Sequence, residues 1–176
     1  SFFLKSFGLF FLISGIISCN QSDKIIRESL VVNIDLHVYK NDTIQIFYSE
    51  KTDDAYTEEL SIKKYVEGKN QMQRLRYELP IGVKPKNLRI DLGEQPNYHD
   101  SIRIESVSFK YRDLILDGKN GAYKKWFIPN ENIYFDKDTL VYKLRVQGDI
   151  YDPQLNGNKA LNSKLVKLFR PDIYER

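Results

Sequence analysis

The sequence predicts an all-β chain, an antiparallel β-sandwich with one short C-terminal helix, on three observations. Apolar and polar residues alternate over many short runs separated by turn residues, the period-two signature of strands with one buried face. Aromatics are abundant, with 12 Tyr and 10 Phe against 1 Trp, and with frequent Val and Ile they favour pleated, half-buried surfaces. Helical spacing occurs at one place only, near the C-terminus.

The elements follow in order. Leu30, Val32, Ile34, Leu36 and Val38 share one strand face, with Asn33, Asp35 and His37 on the other. "NDT" supplies a turn, and Ile44, Ile46 and Tyr48 continue as a second strand, so the two runs are expected to pair as a hairpin. Residues 50–59 are a polar loop. Leu75, Tyr77 and Leu79 alternate with Arg74, Arg76 and Glu78, and Leu88, Ile90 and Leu92 with Arg89 and Asp91. In "SIRIESVSFKY", residues 101–111, the apolar phase shifts between Ile104 and Val107, which reads as a bulge or bend.

Residues 112–135 carry a turn-like "DGKNGAY" between short apolar pieces and give no clear period. Leu140, Tyr142, Leu144 and Val146 form the last clear strand, and "GDIYDPQLNGN" reads as loop. Leu161, Leu165 and Leu168 stand at helical spacing before Pro171. Arg74, Arg76, Glu78, Arg89, Asp91, Arg103, Glu105, Lys143 and Arg145 are expected to pair across strands on a solvated face.

The 176 residues suit one domain with a real core. Lys plus Arg number 27 and Asp plus Glu 24, a net charge of +3 with the signs interleaved, and no basic stripe of the kind nucleic acid requires. The single cysteine precludes an intramolecular disulfide.

That cysteine lies where the chain changes character. "FGLFFLISGII", residues 7–17, is uncharged, follows Lys5 and leads into Ser18 and Cys19, the layout of a secretory signal. It is shorter than the roughly 20 apolar residues of a spanning helix. Ile16-Ile17-Ser18-Cys19 resembles the bacterial lipobox. That resemblance implies a signal peptide over 1–18, a diacylglycerol on the sulfur of Cys19, a polar tether over 19–29 and the β-sandwich over 30–176. Acyl chains contribute about 0.8 kcal/mol per buried methylene, so two or three of them hold a protein on a membrane. Asn20 after the cysteine favours the outer membrane by the enterobacterial sorting rule.

Chemistry is harder to find. His37 and His99 have no metal-like partners at close spacing, so no metal site is expected. No Gly-rich loop opens a helix to cradle phosphate. No acid pair is singled out for glycoside hydrolysis, so no enzymatic role and no cofactor are expected. "DGKNGAYKKWF" brings Asp117, Asn120, Tyr123 and Trp126 close together in sequence, and an aromatic platform beside planar polar groups is what a sugar ring needs. Trp126 as an ordinary core residue is the competing reading.

"NLRIDLGEQPNYHDSIRIESVSFKY", residues 87–111, resembles a motif of jelly-roll, carbohydrate-binding-like domains of bacterial envelope and glycosyltransferase proteins. "MQRLRYELP" and "YDPQL" stand where that pattern has a strand and an aspartyl-prolyl turn. The resemblance implies a jelly-roll-like sandwich and no transferable binding residue. Asp42-Thr43-Ile44, Asp100-Ser101-Ile102 and Asp138-Thr139-Leu140 resemble the O-glycosylation triplet of the Bacteroidetes, with Thr43, Ser101 and Thr139 as acceptors, although turns that end in Asp generate such triplets too. The expectation is a lipid-anchored envelope protein with a non-catalytic module that binds a glycan, or alternatively docks to another envelope protein.

Overall fold

The computed structural model describes residues 28–51, 55–96 and 101–170. The strands are β1 (Val31–His37), β2 (Asp42–Ser49), β3 (Ser61–Val66), β4 (Gln73–Glu78), β5 (Asn87–Asp91), β6 (Ser101–Tyr111), β7 (Leu114–Leu116), β8 (Phe127–Pro129), β9 (Ile133–Asp136), β10 (Val141–Leu144) and β11 (Gln154–Gly157), followed by helix α1 (Lys159–Phe169). They form two antiparallel sheets. The larger runs β4-β1-β6-β10-β9 with β7 also on β6, and the smaller runs β3-β2-β5-β11-β8.

Set side by side, the two orders place consecutive strands at matching positions: β4 with β3, β1 with β2, β6 with β5, β10 with β11 and β9 with β8. This is the jelly-roll-like sandwich expected, a ribbon of strands folded over its own core. The alternating residues in and beside β1 fill that core: Leu30, Ile34, Leu36 and Val38 are fully buried. Tyr77 of β4 crosses from one sheet to the other, and its hydroxyl donates to the carbonyl of Ile44 on β2 at 2.9 Å. The connection is useful because a phenol taken out of water needs a partner.

The hairpin expected of β1 and β2 does not form. The two strands lie in different sheets, β1 between β4 and β6, and β2 between β3 and β5. Alternation determines which face of a strand is buried but not which strand lies beside it, and the short link after Val38 crosses between sheets instead of turning within one.

The phase shift in β6 is a bulge. Asp35 faces Ser106 and the next residue, Leu36, faces Ile104, so Glu105 is the extra residue. The last clear strand is narrower than expected. β10 buries Val141, Tyr142 and Leu144, whereas Leu140 and Val146 lie outside it and are exposed. Leu140 sits in the β9–β10 turn at φ +56°. Part of the supposed "GDIYDPQLNGN" loop is β11, and residues 112–135 hold β7, β8, most of β9 and a 3-10 turn over Ala122–Lys125.

The surface charges pair partly across strands and partly along them. Arg74 meets Asp35 across the β4–β1 ladder, but Arg76 pairs with Glu78 and Arg89 with Asp91, each two residues on along its own strand. Residues i and i+2 share a strand face, and an arginine side chain is long enough to reach the carboxylate there. The expected helix is present as α1: Leu161, Leu165 and Leu168 are buried, and the Asn158 side chain caps it by accepting from the amides of Ala160 and Leu161.

Candidate functional site

The site originates in an interruption of the larger sheet. One edge of β6 is paired with β1 along most of its length. The other edge pairs with β10 only at Ser101 and Ile102 and with β7 only from Phe109 to Tyr111. Among the described residues no strand covers the stretch between. The segment that follows β7 closes this gap from Asp117 to Trp126. Gly118 passes so close to β6 that a Cβ there would stand 1.8 Å from the Val107 carbonyl oxygen, an approach only glycine permits. The Tyr123 hydroxyl donates to the carbonyl of Ile104 at 3.0 Å, replacing a ladder bond that β6 lacks. Trp126 packs on Phe109, with ring centroids 6.0 Å apart.

These contacts overturn the aromatic platform expected at Tyr123 and Trp126. Tyr123 is fully buried and Trp126 is 6% exposed, so neither ring is open to a sugar. The physical reason is the gap itself: it needs a large side chain with a donor at its tip, and burial has pushed the Tyr123 phenol well above its ordinary range. Asp117 and Asn120 remain at the surface. Asp117 accepts from the Lys119 amide within its own turn at 3.0 Å.

Outside this plug lies an open groove of about 620 Å³. Its floor is the bulged part of β6, from Arg103 to Ser106. One wall is the turn bearing Lys119, Asn120 and Lys124, and the rim carries Asp35, Met72, Arg74 and Leu140. Two of the lining residues are non-glycines with left-handed backbone, Asn120 (φ +53°) and Leu140 (φ +56°). Asparagine tolerates that region; leucine does so at a cost of about 1 kcal/mol or more.

The polar groups of the groove are unevenly satisfied. Asp35 accepts from Arg74 Nε and Nη2 at 2.6 and 2.8 Å and from the Ser106 hydroxyl at 2.9 Å. The Arg74 fork is the main reason its carboxyl is held below the ordinary range. Glu105 lies 3.5 Å from His37 Nε2. Arg103 makes one hydrogen bond among the described residues, from Nη2 to the Thr139 carbonyl at 3.2 Å, and its buried Nε has no partner. The Lys124 ammonium lies 3.4 Å from the centroid of the Phe135 ring, and burial lowers its affinity for the proton despite nearby Glu105.

A second groove runs along the start of α1 beside β11 and is rich in amides: Asn87, Asn158 and Asn162 line it. Their amide groups already donate to the carbonyls of Gly157, Lys125 and Lys86, so they are committed to joining β5, β11, the 3-10 turn and the helix.

No protein-family model, curated protein or solved structure matches the chain. Any functional reading therefore rests on these side chains and on the sequence itself.

The other expected positions fall as follows. Cys19, His99 and Asp100 lie outside the described residues. Thr43 and Ser101 are half-buried at strand starts, and exposed Thr139 donates its hydroxyl to Asp136 Oδ2 at 2.7 Å. Among the described residues no three His, Cys, Asp or Glu side chains gather as metal ligands, and no helix is long and apolar enough to cross a membrane. Arg103 and Lys124 were not among the expected ligand residues. In sequence, Arg103 looks like any outward charge of a strand; only the phase shift two residues later hints that its surroundings differ.

Proposed function

We propose that this chain is a lipid-anchored envelope protein whose sandwich is a non-catalytic glycan-binding module, with the groove over the β6 gap as its site. The observation that carries the reading is the groove itself. It is open, lies within the size range of small-ligand sites, and converges amide, guanidinium and carboxylate groups from separate elements beside the apolar side chains of Met72 and Leu140. Saccharides need such planar, bidentate partners for their hydroxyls, and rigid strands hold them in place. The anchor rests on the lipobox-like residues ending at Cys19.

The test is binding of the full chain, kept in detergent, to a broad panel of glycans, repeated with Lys119→Ala combined with Asn120→Gly. Both positions are exposed, and glycine suits the left-handed backbone of the second. Binding that the double variant loses at unchanged thermal stability supports the reading, and no binding across the panel overturns it. Labelled palmitate entering the wild type but not Cys19→Ala tests the anchor.

Docking to another envelope protein is the second reading. It is favoured by Leu114 and Ile115, 40% and 65% exposed on β7, a strand that among the described residues is paired on one edge only. Loss of an envelope cross-link in Ile115→Glu, with glycan binding absent, would select it.

A further inference from the structure

We infer that the β6 groove selects saccharides that carry an oxyanion, a uronate carboxylate in the first place, with Arg103 and Lys124 as the groups that read it. The inference rests on the glycan-binding reading and narrows it. Four cationic side chains line the groove, Arg74, Arg103, Lys119 and Lys124, against two acids, Asp35 and Glu105. Asp35 and Arg74 neutralise each other through a two-point ion pair. Glu105 is then the one acid left among the lining residues for three cations, and it lies 3.5 Å from His37 Nε2. Lys119 has Asp117 at 3.6 Å.

The excess sits on Arg103 and Lys124. The guanidinium of Arg103 is fixed by its bond to the Thr139 carbonyl and has no carboxylate of its own among the described residues. A planar fork held this way is suited to two-point binding of a carboxylate. Lys124 stands on the Phe135 ring, a position that orients the ammonium without neutralising it. Burial disfavours its charge, so an arriving anion gains more there than at a fully solvated lysine. Met72 and Leu140, also in the lining, are about half exposed and give a ring face apolar surface.

The experiment is calorimetric titration of the full chain with oligogalacturonate, its methyl ester, a neutral galactose oligomer and inorganic phosphate, repeated with Arg103→Met plus Lys124→Met. The expected result is binding of oligogalacturonate at least tenfold tighter than of the ester, weakened by added salt, and lost in the double variant while its melting temperature holds. Equal binding of ester and acid would overturn the charge selection and leave the glycan reading intact. Acid-selective binding unchanged in the double variant would overturn the assignment to this groove. Phosphate binding as tight as oligogalacturonate would show an anion site without sugar recognition and overturn the inference. No binding of any saccharide would overturn both readings.

Discussion

Replacing Arg89 with Met is expected to cost more stability at neutral pH than at mildly acidic pH, and the reason lies on the outer face of the smaller sheet. Arg89 and Asp91 of β5 form a two-point pair at 2.8 and 2.9 Å, with side chains 20% and 15% exposed. The guanidinium also lies 4.1 Å from the centroid of Phe47 and 5.3 Å from that of Tyr56. Removing one member of a fully buried pair costs about 3–5 kcal/mol; the remaining exposure reduces that here to roughly 2–3 kcal/mol. With a urea slope of about 2 kcal/mol per molar for a domain this size, the midpoint falls by about 1–1.5 M.

The pH dependence gives the sharper test. Burial pushes Asp91 up to about 6 from an ordinary 3.8, with Arg89 pulling it down. Between those values the folded state holds more protons than the unfolded chain, so this group's contribution to stability falls as pH rises through the window. Without Arg89 the folded value climbs further. The deficit of Arg89→Met is therefore largest at pH 7 and above and shrinks toward pH 4. Urea melts at about pH 7 and pH 5 measure it, and adding Asp91→Asn is expected to restore part of the loss. An unchanged midpoint at pH 7, or equal losses at both pH values, would refute the reasoning.

Three further outcomes are expected. Tyr123→Phe leaves the buried Ile104 carbonyl without its donor, which costs about 1–2 kcal/mol; thermal unfolding should register a drop of roughly 3–6 °C. Asp35→Asn loses about 1 kcal/mol at neutral pH, discounted because Arg74 is largely exposed. Because the folded-state value of Asp35 is lowered, its stabilisation is present above about 3.8 and fades as pH falls through the folded value, so melts of variant and wild type should converge in acid. Leu140→Gly removes an exposed side chain from a left-handed turn position and should stabilise by about 1 kcal/mol, raising the melting temperature by a few degrees.

Much of the core was legible because burial in a sandwich leaves a period-two trace. Every second residue from Leu30 to Val38, the phase shift in β6 and the three leucines of α1 all lie where that trace implies. β3 was missed because it is an edge strand: Lys63 and Tyr65 face outward, Lys64 takes an inward position where an apolar residue would mark the strand, and only Val66 is fully buried. β11 was missed because its four residues contain one core side chain, Leu155. The false hairpin has a different origin, since pairing is a non-local choice that no local pattern records.

The site shows the same division at closer range. Sequence drew attention to the segment from Asp117 to Trp126, which borders the groove, because turn residues, aromatics and cations crowd together there. It could not tell which of those side chains faced the core, because that depends on a gap in a sheet whose strands are far apart in the chain. Tyr123 fills the gap and Lys119, Asn120 and Lys124 stand outside it, so the aromatic residues support the groove from beneath and the cations line it. Substitutions should separate accordingly. Disturbing Tyr123 or Trp126 lowers stability and any ligand binding together, whereas disturbing Arg103 and Lys124 lowers binding alone. A variant of the second pair that unfolded the domain would mean that these cations hold the turn on β6, and the groove would then be a consequence of the packing and not a place for a ligand.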